Sequence, residues 1–219
     1  PRETEEITKY NTYNSIRDLG LEDKYENLMK QYKSLKGKPG YAFYNVFVIS
    51  SLVISDPEVL NKANISKFNA IDNYIYDYAQ KKKNFKEVEG IEFQMKLLTE
   101  LSGDYSETIL DNLANKEMVI KNAKKDLDAY YSGNTQYYED GQNLLINQFK
   151  QLNDNDKEKY EKYWNILLYN RNIHMKDTLI NSINNGKHDF MGIGCKHIYG
   201  KKGIIQLLKD DGYLVECMK

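Results

Sequence analysis

A glycine three residues ahead of a histidine closes the run Phe190-Met-Gly-Ile-Gly-Cys-Lys-His197. This Gly-x-x-His pair, Gly194 and His197, is the sharpest chemical signal in the chain. An imidazole titrates near neutral pH and, when neutral, can bind a divalent metal or take a proton. The glycine lets a backbone turn sharply and come close to a ligand. The segment from Asp189 to Cys217 reads as strand, glycine-lined turn, helix and strand. That order puts His197 at the end of a strand, where open α/β sheets gather their ligands.

Other chemistry-bearing residues are weaker. Gly200 and Gly203 shape the turn after His197, and no Gly-Lys-Ser/Thr follows to make a phosphate loop. His174 reads as structural or exposed, and His188 as an exposed start of the strand. Tyr160, Tyr163, Trp164 and Tyr169 recur at helical spacing, the pattern of a core stripe. Cys195 and Cys217 allow one disulfide at most, and two separate thiols are the simpler reading.

The elements that must position these groups are mostly helical. Leu21, Tyr25, Leu28, Tyr32 and Leu35 mark an amphipathic helix over 21–35, which Gly37-Lys38-Pro39-Gly40 ends. Tyr41 to Ile54 is apolar nearly all round and reads as a buried helix, with a strand left open by the pattern alone. Ser55-Asp56-Pro57 has the form of a helix cap with proline at the first position. A helix is predicted over 70–83, a short strand over 85–89, and helices over 91–102, 104–113, 115–131, 135–152 and 155–185. The closing elements are a strand at 188–194, a helix at 202–210 and a strand at 212–217.

The fold class expected is therefore α/β, mostly α by content. A small sheet carries a multi-helix insertion over about 91–185 and a closing strand-helix-strand unit over about 187–219. So few short strands cannot make a stable sheet alone. Further strands are expected ahead of Pro1, and the chain reads as one N-terminally incomplete domain.

Bulk properties exclude some partners. The 219 residues carry 31 basic and 32 acidic side chains, so net charge gives no argument for nucleic acid. The Lys81-Lys82-Lys83 run reads as a solvated helix end. No stretch of about 18 apolar residues marks a membrane span.

Four segments in order resemble the TraB/PrgY/GumN family, to which the Tiki-type proteases are related. Phe190 to His197, with Gly200, Gly203, Leu207-Leu208 and Gly212-Tyr213-x-Val215-Glu216, is similar to the closing signature of the family. Asn170-Arg171-Asn172-x-x-Met175 resembles its "RN…M" segment. Glu87 to Gln94 resembles its "LE-x-x-E-x-Q" junction, with Glu89, Glu92 and Gln94 in the matching places. Ile71-Asp72 is similar to its "giD" start. There are two departures. No second Gly-x-x-His precedes Gly194, and Asn170 stands where the family often has an acidic residue.

The resemblance implies a metal-dependent peptidase centred on the Gly-x-x-His motifs. On this reading His197, Arg171 and Glu89 are the catalytic candidates. His197 and Glu89 would hold a divalent metal (manganese, cobalt or zinc), and Gly194, Asn172, Gln94, Gly200 and Gly203 complete the motif. Arg171 would clamp a substrate carbonyl or carboxylate, or else form a buried ion pair, as with Glu89. Glu89 would be a base or ligand, or else a carboxylate favoured by the dipole of the following helix. The implied partner is a peptide or protein, with homodimerisation left open, and the implied location is the cell envelope or outside. Without the first Gly-x-x-His the chain is expected to be inactive or impaired. The alternatives are a peptide-binding regulator of the pheromone-shutdown type and a helical interaction protein without chemistry.

Overall fold

Tyr25, Leu28, Tyr32 and Leu35 are all buried, although the helix expected over 21–35 ends at Gln31 and the last two reach the core from beyond it. The computed structural model describes residues 14–65, 71–82, 86–140, 154–186 and 190–217. The chain divides into two compact units, Pro1–Ile71 with Glu89–Asp128 and Asp72–Val88 with Ala129–Lys219.

In the first unit, α1 (Glu22–Gln31) leads through a 3-10 turn (Pro39–Phe43) to α2 (Val46–Ile54) and α3 (Pro57–Lys62). The Asn45 side chain caps α2 by accepting from Phe47 N and Val48 N at 3.1 and 3.2 Å. Asp56 caps α3, accepting from Glu58 N at 2.9 Å, and Pro57 takes the first helical position. The long α5 (Ile91–Ala114) packs against α1 and α2. Its Leu110 and Leu113 join Ile16, Leu28, Val46, Ile49 and Val53 in one apolar core. The helix break expected at Gly103-Asp104 does not occur, and α5 runs through it. A Cβ at Gly103 would lie 3.1 Å from the Asn14 amide nitrogen, which donates to Thr99 O at 2.9 Å. That glycine makes room for a neighbour and does not end the helix.

α6 (Lys116–Ser132) follows, most of it in the first unit. The second unit holds α4 (Ile71–Lys82) and residues 135–140, which are helical. It also holds α7 (Asp154–Trp164), a π-turn (Asn165–Tyr169), α8 (Asn170–Asn184), α9 (Cys195–Ile198) and α10 (Ile204–Asp210). Gly186, in the left-handed region, ends the α8 segment as Asn184-Asn185-Gly186 predicts.

The expected α/β class is overturned. The regular structure of the described residues is all helix, with no strand or sheet among them. Residues 86–89, 190–194 and 212–217, read from the sequence as strand, are irregular where described. A strand needs partners for its backbone and cover for its apolar face. Here Phe190 is 82% and Leu214 87% exposed, and Met191, Ile193, Tyr213 and Val215 are only half-buried, so among the described residues neither segment has a pairing strand or a fully covered apolar face. Residues 85 and 187–189, and with them His188, lie outside the described residues, as do 1–13 and 141–153.

Candidate functional site

His197 stands on the one-turn helix α9, not at a strand end, and its ring is largely buried. Its Nδ1 lies 2.6 Å from Oδ1 of Asn172, a fully buried residue in the first turn of α8. The Asn172 amide nitrogen donates in turn to Lys202 O at 2.7 Å. These two bonds fix the proton. Because the amide nitrogen is committed to a carbonyl, Oδ1 is the atom that meets the imidazole, and Oδ1 only accepts. Nδ1 must therefore carry the hydrogen, and the neutral ring holds its lone pair on Nε2.

The glycines around this bond do different work. Gly194 caps α9 with ordinary extended backbone (φ −62°, ψ 138°), and a Cβ there would stand 3.7 Å from His197 Cδ2. The sharp glycine turn expected ahead of His197 is thus not needed. It falls later, at Gly200, where φ is 91°, and Gly203 N closes the turn onto Gly200 O at 2.9 Å. A Cβ on Gly203 would lie 2.5 Å from Ile198 O and closer still to Tyr199 O. Only a glycine lets this loop fold back far enough to offer Lys202 O to Asn172.

The π-turn that precedes α8 packs against α9. Such insertions cluster at functional sites, because a strained turn persists only where something holds it. Arg171 Nη1 donates to Leu167 O within the π-turn at 3.0 Å, which ties the guanidinium back along its own helix. The indole nitrogen of Trp164, at the entrance to the π-turn, is buried without an acceptor. On the other side of the turn, the Lys202 ammonium sits 4.3 Å from the centre of the Tyr169 ring. Burial pushes the Tyr169 hydroxyl above its ordinary pKa. Tyr199 stacks on Tyr138, ring centres 5.9 Å apart, which anchors the loop after His197.

The second unit thus brings together His197, Asn172, Gly194, Gly200 and Gly203, with Arg171 next to Asn172 in sequence. His174 Nε2 lies 3.1 Å from Val88 O and joins α8 to the segment ahead of Glu89. Glu89 and Gln94 belong to the first unit. Glu89 is half-buried and comes just before Gly90, the cap of α5, and Gln94 N donates to Gly90 O at 3.2 Å. Cys195 and Cys217 are not joined in a disulfide. Sequence reasoning missed Lys202 and read Tyr169 only as part of a core stripe. A backbone acceptor and a ring under an ammonium leave no periodicity to read, and the lysine pair Lys201-Lys202 was the only trace.

A catalytic zinc takes about three protein ligands. Among the described residues no three His, Cys, Asp or Glu side chains converge. These residues therefore offer one oriented imidazole towards a metal and not a full donor set. No described helix is long and apolar enough to cross a membrane.

Together the described residues define a helical framework in which a buried amide holds the His197 imidazole in one tautomer. The family model described as TraB/PrgY/gumN matches residues 2–217, and the chain belongs to that family. Neither the curated proteins nor the solved structures gave a match.

Proposed function

We propose that this protein acts on peptides as a hydrolase, with His197 as the proton-transferring group. The observation that supports this is the 2.6 Å bond from His197 Nδ1 to Asn172, which leaves the basic lone pair on Nε2. In the proposed step, water adds through its oxygen to the peptide carbonyl carbon while its proton passes to Nε2. The imidazolium keeps its Nδ1 hydrogen on Asn172. The C–N bond then breaks as Nε2 returns the proton to the departing amine, and the ring is neutral again. Arg171 is the candidate clamp on the carbonyl oxygen, since its planar fork suits such an acceptor. A divalent metal, when bound, would polarise water and carbonyl; held through Nε2 of His197 it would occupy the lone pair used in this step, so metal binding and proton transfer are alternative roles for that ring. Glu89 belongs to the first unit and has no part in this step.

A second reading, capture of a peptide without cleavage, is favoured by the burial of His197, which is 8% exposed. One experiment separates the two. The full-length protein is incubated with a mixed octapeptide library, with and without added manganese, cobalt or zinc, and the products are followed by mass spectrometry. The hydrolase reading expects new fragments, reduced about a hundredfold or more in His197→Ala. Intact peptides retained saturably by the protein, with no fragments under any condition, would replace it with the second reading.

A further inference from the structure

We propose that Lys202 anchors a carboxylate of the peptide ligand beside His197. The inference rests on the peptide-directed reading above but not on cleavage. Lys202 is held at both ends. Its carbonyl accepts from Asn172 at 2.7 Å, and its ammonium rests on the Tyr169 ring at 4.3 Å. A side chain already fixed loses less freedom when it binds. The ring face steadies the ammonium while Lys202 stays exposed, so an arriving carboxylate can reach it.

Lys202 pairs with no carboxylate among the described residues. Lys176, in the same unit, shows the contrast, since Asp211 at 2.6 Å and Asp177 at 3.2 Å already neutralise it. The sequence around Lys202 adds to the field. From Phe190 to Lys209 there are lysines at 196, 201, 202 and 209 and no Asp or Glu. In a chain of net charge −1, this stretch around His197 is locally positive. Such a field draws in an anionic group and selects against a neutral one.

The test uses two octapeptide libraries of the same composition, free of Asp and Glu, one ending in a carboxylate and one in a carboxamide. The probes are passed over immobilised full-length protein at low salt, and retained peptide is quantified by mass spectrometry. The wild type is expected to hold the carboxylate library about tenfold better than the amide. Lys202→Gln should erase that preference, Lys202→Arg should keep it, and Lys209→Gln, an exposed lysine on α10, should leave it unchanged. Lys202 is exposed, and its carbonyl bond to Asn172 survives either substitution, so circular dichroism should report an unchanged fold. A third library carrying internal Glu and a C-terminal amide distinguishes a side-chain carboxylate from a terminal one. Equal retention of all libraries, or a preference unchanged in Lys202→Gln, overturns the anchor. Selective retention without any fragments keeps the anchor and removes the hydrolase reading instead.

Discussion

His197 and Asn172 come from helices α9 and α8, 25 residues apart in the chain, yet their side chains share a 2.6 Å bond in a buried setting. The bond is directional, because Lys202 O fixes the Asn172 amide. The proton of the neutral imidazole is therefore expected on Nδ1. Long-range nitrogen–proton NMR of ring-labelled protein should show a pyrrole-type Nδ1 and a pyridine-type Nε2 for His197. Asn172→Ala should mix the tautomers and cost about 1–3 kcal/mol in urea unfolding, since a buried carbonyl and a ring N–H lose their partner. A wild-type ring protonated on Nε2 would contradict the network.

Two glycines that flank His197 should respond in opposite ways to the same substitution. Gly203→Ala drives a Cβ into the carbonyls of Ile198 and Tyr199, backbone atoms that cannot swing aside. A loss of about 1–3 kcal/mol or more is expected. Gly194→Ala meets only an ordinary 3.7 Å contact at an extended φ of −62°, so its effect should stay within about 0.5 kcal/mol. Paired thermal melts check this. Equal melting temperatures for the two variants would show that the turn after His197 adapts.

The helical frame was readable because period and caps agreed. Tyr25 and Leu28 lie on the buried face of α1, and Tyr32 and Leu35, which follow its end at Gln31, reach the same core. Asp56-Pro57 announced the start of α3, and the cap is there. The strands were misread where the apolar run was short. Phe190 to Ile193 and Tyr213 to Val215 alternate over too few positions to tell a strand from an irregular connection. Tertiary context decided at Gly103, where the Asn14 side chain, not a helix end, explains the glycine. The site was half legible. Gly-x-x-His located His197, but nothing local in a sequence links it to an amide 25 residues away or to a backbone carbonyl.

Acid should weaken the first unit through Glu58. Hydrogen bonds from Lys116 and Lys62 hold its carboxyl down at about 2, from an ordinary 4.5. Lys116 Nζ is 2.6 Å away and Lys62 Nζ 2.8 Å. A depressed carboxyl binds its proton more tightly in the unfolded chain. Its contribution is thus complete above about pH 4.5 and is lost as pH falls towards about 2. Glu58→Gln should flatten the stability–pH curve across that window, as followed by urea midpoints from pH 2 to 6. An unchanged slope would mean that the two lysines do not hold Glu58 in solution.

Alkali should act through Tyr32, with the opposite sign. This phenol is buried in the core of the first unit, donates to Leu113 O at 2.6 Å, and has its pKa pushed up to about 12 by burial and then by the Asp56 charge. A raised tyrosine pKa means that the unfolded chain gives up the proton first. The stabilisation is complete below about pH 10 and disappears as pH rises through about 12. Tyr32→Phe keeps the ring under the Lys116 ammonium, 5.1 Å from its centre, but takes the donor from Leu113 O. A loss of about 1–3 kcal/mol is expected at neutral pH, because that carbonyl stays buried without its bond. The variant should also lose part of the alkaline sensitivity, since the group that ionises on unfolding is gone. Tyr25, likewise raised to about 12 and bonded to Lys38 O at 2.9 Å, should carry the remainder. If Tyr32→Phe were as stable as the wild type at pH 7 and equally sensitive to alkali, the bond to Leu113 would add nothing to the folded state.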